Sequence, residues 1–483
     1  MKNARLSLVA LGLGVALLAP IAPARAASPL GAHGTGAETQ TRTLRVDYFH
    51  TGNATTEMFA LDRVTFEPLP WAGNPRRPLD DTNLGLYYFE VVDRETNRAI
   101  YSRGFASIFG EWQTTDEAKE RWGTFSESFR FPAPDRPVRI SLKKRDAKND
   151  FREIWSLAVD PADMFVDTSE PIASAPLLAL EQHGDPSDKV DLLILGDGYT
   201  KAERTKFEKD ARRMMEMLFA QEPFKNHRGD FNVWGLSPAA AESGISRPST
   251  GIHRRNPVGA TYDAFGSERY VLTFDNRAFR EAAQFAPYDF VEILVNAQTY
   301  GGGGIFGLYG TVAADSVWSP YVFVHEFGHH FAGLADEYYT SDVATDNGAV
   351  VEPWEKNVTA NADPATIKWK GLLSPGTALP TTWKKSEFEA FQKDTQARRR
   401  KIRADKRPES EMDALFNEEK AHETELLGKD ANSGKVGAFE GANYQATGMY
   451  RPQEDCIMFT RDEVGFCAVC RAAIEQVIGL YSK

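Results

Sequence analysis

From Thr43 onward, apolar and polar residues alternate. Leu44, Val46 and Tyr48 fall on one side of an extended chain, and Val138, Ile140 and Leu142 repeat the step of two. That period belongs to a strand with one buried face. Runs over 86–92, 99–105 and 154–159 add further strands, divided by clusters of Pro, Gly, Asn and Asp that suit turns. The series predicts a β-sandwich over residues 41–167, with a short helix over 114–122 inside it. Pro171, Pro176, Gly184 and Pro186 then predict a linker over 168–188. Beyond it the texture changes. Residues 190–195 are apolar save for Asp191, and 231–236 and 290–296 are similar runs, as expected of strands buried on both faces. Thr200 and Glu203 have the spacing of a capping box, opening a helix that reaches about Phe219. Strand, helix and strand in alternation predict an α/β domain over 189–483. Residues 384–430 carry dense charge of both signs at helical spacing and predict a solvated helical insertion. The expected class is multidomain α+β.

Length and charge narrow the picture. A chain of 483 residues exceeds what one core usually organises. A formal net charge of −12 without a basic stripe argues against a nucleic-acid partner. At the start, Lys2 and Arg5 precede an apolar run over 6–18, and Ala24-Arg25-Ala26 gives a small-x-small cleavage pattern. These features predict a signal peptide over residues 1–26. The run falls short of the roughly 20 residues a membrane-spanning helix needs, and no later segment is long and apolar enough to span. Export to the periplasm or the outside is expected, with a disordered stretch over 28–40. The three cysteines, Cys456, Cys467 and Cys470, lie close together. In an exported chain the first expectation is a disulfide from Cys456 to Cys467 or Cys470. Zinc held by three sulfurs is the weaker alternative, since no histidine lies nearby in sequence.

The candidate chemistry sits at 319–339. Ser319 is placed to cap a helix with Pro320 in its first turn, and residues 321–324 continue it as a buried apolar helix. His325 and His329 are four residues apart, about one turn, so both imidazoles leave the same face and can grip one ion. Zinc suits nitrogen ligands and lowers the pKa of water towards 7. Glu326, beside the pair, is the expected general base. His330 points about 100° away and is read as packing or support. Gly333 is placed to end the helix in a left-handed turn, which brings Asp336 and Glu337 back towards the metal. Either carboxylate can be the third ligand, with Asp336 preferred and Glu337 left as the alternative or a supporting acceptor. One zinc ion per chain is expected. The run Gly301–Gly304 lacks the Lys-Ser or Lys-Thr of a phosphate loop, and 301–309 is read instead as an edge strand to which a peptide can add.

His325 to Tyr339, HEFGHHFAGLADEYY, resembles the bacterial immunoglobulin-A metallopeptidase family of zincins. Asp455-Cys456-Ile457-Met458-Phe459 resembles the Met-turn beneath the zinc of metzincins. The resemblance implies a zincin-like peptidase behind an N-terminal β domain, with Met458 as the Met-turn residue. It also shows a departure. Metzincins place glycine seven residues and the third ligand ten residues after the first histidine, where this chain has Ala332 and Ala335; Gly333 and Asp336 each lie one residue later. Tyr450 and Arg451 precede the turn and are expected to face the cleft, Tyr450 as a donor to the developing oxyanion. The expected activity is hydrolysis of protein or peptide substrates. The alternatives are a zinc hydrolase of cell-wall or other non-protein amides and a surface binding protein with a vestigial metal site.

Overall fold

Seven strands build the N-terminal part: β1 (Arg42–Gly52), β2 (Glu57–Pro70), β3 (Tyr87–Asp93), β4 (Ala99–Phe105), β5 (Gly123–Pro132), β6 (Val138–Arg145) and β7 (Phe151–Val159). The computed structural model describes residues 41–340, 351–462 and 464–483. The signal peptide and disordered stretch expected at the N-terminus lie outside them. The strands pair antiparallel in two sheets, ordered β2-β1-β5 and β4-β3-β6-β7. Leu44, Val46, Tyr48 and Phe129 meet Phe89, Val91, Ile140 and Leu142 in one core, so the period-two residues face inward as the pattern requires. The helix predicted over 114–122 is present as the second of two short ones, α1 (Ile108–Gln113) and α2 (Asp116–Glu120). Ser107 and Thr115 cap them with side-chain acceptors, so the second cap marks the start of the predicted helix.

The second part is an α/β layer. Its strands are β8 (Leu178–Glu181), β9 (Val190–Asp197), β10 (Phe231–Leu236), β11 (Ala260–Thr261), β12 (Leu272–Thr273), β13 (Phe290–Val295), β14 (Gly302–Ile305) and β15 (Tyr309–Ala313). Its helices are α3 (Arg204–Phe219), α4 (Asn276–Ala283) and α5 (Ser319–Ala332). Six strands form one sheet in the order β14-β15-β13-β9-β10-β8. The four inner strands run parallel, and the two edges are antiparallel to their neighbours. Thr200 and Glu203 form the expected capping box ahead of α3. β8 corrects the predicted linker over 168–188. Its four residues, Leu178-Ala179-Leu180-Glu181, are too few to show a period among the surrounding prolines, yet Leu180 reaches the core.

The C-terminal part adds α6 (Lys385–Ala404), α7 (Glu409–Gly428), β16 (Phe439–Ala442), β17 (Gln445–Arg451) and α8 (Ala468–Tyr481). The charged segment is helical, as expected, but not solvated throughout. Phe388, Gln392 and Thr395 on α6 and Met412, Leu415, Phe416, Glu419 and Glu423 on α7 are buried. The sandwich is seated on the α/β layer: the Ala106 amide donates to the Phe306 carbonyl at 2.8 Å, and Leu84, Ala106 and Ile108 belong to the larger core. No described helix is long and apolar enough to cross a membrane.

Candidate metal centre

Val322, Phe323, Phe327 and Phe331 sink α5 into the core and leave His325 and Glu326 lining a cavity, with His329 one turn further along the same face. Ser319 does not cap this helix. It is the first helical residue, Trp318 precedes it without a side-chain cap bond, and the Ser319 hydroxyl accepts from Arg213 at 3.2 Å. Gly333 ends the helix as predicted, at φ 58° and ψ 40°. Glycine suits this left-handed position, and a Cβ there would lie 2.7 Å from the Trp354 ring.

The reversal brings Asp336, the preferred of the two carboxylates, to the histidine pair. Asp336 Oδ1 lies 3.1 Å from His325 Nε2 and 3.2 Å from His329 Nε2, and the two Nε2 atoms are 3.2 Å apart. The other ring nitrogens are committed. His325 Nδ1 donates to the Ile457 carbonyl at 2.9 Å and His329 Nδ1 to the Leu334 carbonyl at 2.5 Å. A carbonyl only accepts, so with both rings neutral each Nε2 lone pair points at the other ring and at a carboxylate. Three acceptors at that spacing can hold one cation between them; without it, and against the effect of burial, Asp336 and Glu326 raise His329 to about 9, and a proton on its ring takes that place. The triangle's edges match a face of a tetrahedron with bonds of about 2.0–2.1 Å, and the donor set of two imidazoles and a carboxylate suits zinc. The backbone carbonyls orient the rings as supporting acceptors do in metal sites. Burial opposes the charge on Asp336, but His329 and His325 hold its carboxyl well below the ordinary range.

Glu326 lines the same cavity. Burial raises its carboxyl above the usual value, against the pull of His325 and His329. Beneath α5, Met458 is fully buried, and its sulfur lies 3.0 Å from where a Cβ on Gly328 would stand. The turn that supplies the Ile457 carbonyl to His325 therefore also packs under the helix. His330 faces away from the cluster: its Nδ1 meets Glu292 Oε1 of β13 at 3.1 Å, and burial pushes its pKa down to about 3.

Four expectations change. Glu337 does not reach His329 or His330; its amide donates to the Met458 carbonyl at 2.8 Å and its Oε1 accepts from Asn357 at 3.0 Å. Tyr450 is not among the residues lining the cavity; on β17 its backbone exchanges hydrogen bonds with Thr359. Arg451 is fully buried, stacked 3.7 Å over Phe459 and bonded to the Gly441 and Glu454 carbonyls, so it does not face the cleft. No sulfur is bonded to another: the three cysteines are free thiols, and Cys456 Sγ and Cys470 Sγ are 3.9 Å apart.

The structure adds residues that sequence reasoning missed. The Tyr444 hydroxyl donates to Asp336 Oδ2. Tyr338 lies parallel to the His325 ring, and Arg269 donates to its hydroxyl at 3.3 Å. Tyr338 stood within the recognised stretch, whereas Tyr444 and Arg269 arrive from segments with no spacing signal. Glu111 of α1 comes from the sandwich into the field of His329 and Asp336, and burial raises it to about 7. From the other side Gln392 and Arg399 of α6 and Glu419 and Glu423 of α7 help enclose a cavity of about 50 Å³. The strand predicted over 301–309 is present as β14, on the sheet edge. Its glycines answer to close packing: a Cβ on Gly304 would lie 2.4 Å from the Glu326 carbonyl oxygen and 2.9 Å from His329 Cβ.

A comparison with curated proteins found no match. Family models do match. That of the M64 peptidase N-terminus covers residues 37–156, and that of the IgA peptidase M64 covers residues 178–478, the span holding the histidine helix and the turn beneath it. Together they account for the sandwich and the α/β layer in their order along the chain, and the protein is a peptidase of the IgA peptidase M64 family.

Proposed function

We propose that the chain is an exported, zinc-dependent endopeptidase acting on protein or peptide substrates, with His325, His329 and Asp336 as the metal ligands and Glu326 as the general base. The observation that carries this is the triangle of two imidazole lone pairs and one carboxylate oxygen, each at 3.1–3.2 Å from the others. Bound there, zinc supplies a Lewis acid for water and the scissile carbonyl. Glu326 takes a proton at its carboxylate from the attacking water and returns it to the leaving amine. Burial raises its affinity for that proton and so suits it to the task. Tyr444 fixes Asp336 from behind, and the carbonyls of Ile457 and Leu334 hold the two rings in their tautomers. The outer edge of β14 is engaged at Gly302, whose amide donates to the Arg269 carbonyl and whose carbonyl accepts from the Val271 amide, both at 3.1 Å, so an extended substrate would add beyond it, at Gly304. Export rests on the leader pattern over residues 1–26.

The test is Glu326→Gln. Zinc content should stay at the wild-type level while turnover falls by about 10²–10⁴-fold, the usual worth of general acid–base catalysis. Near-normal turnover would remove Glu326 from its role. Cleavage of glycan-linked amides with no cleavage of peptides would favour the non-protein hydrolase instead.

A further inference from the structure

We propose that Cys456, Cys467, Cys470 and Glu337 form a second metal site, one that takes zinc in a closed, structural tetrahedron. One donor atom from each of the four lies within 4.8 Å of every other. Cys456 Sγ and Cys470 Sγ are 3.9 Å apart, and Glu337 Oε1 is 3.3 Å from Cys470 Sγ and 3.9 Å from Cys467 Sγ. A zinc tetrahedron with bonds of about 2.3 Å to sulfur and about 2.0 Å to oxygen sets edges of about 3.8 Å between sulfurs and about 3.5 Å from sulfur to oxygen. A disulfide would need about 2.05 Å between sulfurs.

Local dipoles favour charge on two of the sulfurs. Cys467 is the N-cap of α8, so the thiol pair Cys467 and Cys470 sits at the positive end of that helix. The Cys467 amide donates to Cys456 Sγ at 3.2 Å and the Cys470 amide to Cys467 Sγ at 3.4 Å. Glu337 is fully buried, and its Oε2 has no hydrogen-bond partner. A buried carboxylate facing three thiols, with one oxygen unanswered, is costly unless a proton or a cation answers it, and the sulfurs at tetrahedral spacing provide for the cation. On binding, each thiol gives its proton to solvent and the dication takes its place. All four coordination positions are filled by the chain, which marks a structural and not a catalytic site. Its position gives it a task. Glu337 follows Asp336, and Cys456 precedes Met458 by two residues, so the metal would tie the ligand-bearing turn, the Met458 turn and α8 at one point. The reading stands apart from that of the histidine site.

The experiment removes the histidine site and counts what is left. His325→Ala/His329→Ala, isolated from the oxidising compartment without chelators, should still carry close to one zinc per chain by elemental analysis. Loading the same variant with cobalt should give sulfur-to-cobalt charge-transfer absorption, which Cys467→Ser/Cys470→Ser added to it abolishes. After chelation in denaturant, three free thiols should titrate. A metal-free histidine variant overturns the proposal. So does an intact mass lower by two hydrogens, which reports a disulfide. Glu337→Gln guards against misfolding of the cysteine variants: circular dichroism should stay native while the second zinc is lost on dialysis, and full retention would exclude Glu337 from the site. None of these outcomes depends on peptidase activity.

Discussion

Asp336 divides two duties between its two oxygens. Oδ1 faces the histidine pair and Oδ2 receives the Tyr444 hydroxyl. Asp336→Ala therefore removes the proposed ligand and should abolish tight zinc binding at the histidine site. Tyr444→Phe removes only the support, and losses of that kind are typically about 10–100-fold in metal affinity. Competitive zinc titration of the two variants, with Glu337→Gln alongside, checks the order. Glu337→Gln should leave the histidine site near wild-type affinity, because Glu337 faces Asn357 and the cysteines. If Glu337→Gln empties the histidine site while Asp336→Ala fills it, the assignment reverses.

At the scale of elements, β14 and α5 approach so closely that only glycine fits between them. Gly304→Ala would place a methyl 2.4 Å from a backbone oxygen of the helix. Overpacking of this kind costs about 1–3 kcal/mol, and the loss should show as a lower urea midpoint together with weaker turnover, since the same helix carries the site. The sandwich has its own tie between sheets. Glu57 of β2 meets His50 at 3.1 Å, the Tyr87 hydroxyl of β3 at 3.0 Å and Lys144 of β6. Burial alone would raise its carboxyl, but the hydrogen bonds from His50 and Lys144 lower it to about 2, from 4.5 in an unfolded chain. The folded state thus binds this proton less readily than the unfolded one. Its stabilising effect is complete above the unfolded value and drains away as pH falls from about 4.5 towards about 2. Glu57→Gln should flatten the acid limb of a denaturation profile across that window; an unchanged limb would contradict the tie.

Much of this was legible in the chain. The period-two strands of the sandwich, β9, the capped α3 and β10 announced themselves because each is a regular run with a clear boundary. The His325/His329 pair and the Gly333 turn were readable because helix geometry converts spacing directly into direction. What failed was of another kind. β8 has too few residues to show a period, and α6 and α7 hide their buried stripe under charge. The facing of Glu337, Tyr450 and Arg451 was decided by distant partners such as Asn357, Thr359 and Phe459, which no local pattern encodes.

Across the whole molecule, the sandwich is a working part of the peptidase body and not an appendage. It lends Leu84, Ala106 and Ile108 to the larger core and brings Glu111 into the field of His329 and Asp336. The segment 160–483 expressed alone should expose that contact and be recovered largely as aggregate, whereas the chain from 41 onward stays monodisperse; size-exclusion profiles of the two distinguish the cases. The α6–α7 hairpin has a consequence for the diet of such a protein. With α6 and α7 packed over it, the cavity that His325 and Glu326 line is small, about 50 Å³. If peptide bonds are cut at this cavity, a folded surface would not reach so enclosed a place; a single strand, already loosened from its own domain, would. The gatekeeping then falls on looseness before sequence, so tails, hinges and interdomain tethers would be cut first, and a compact protein would become prey once something else had begun to unravel it.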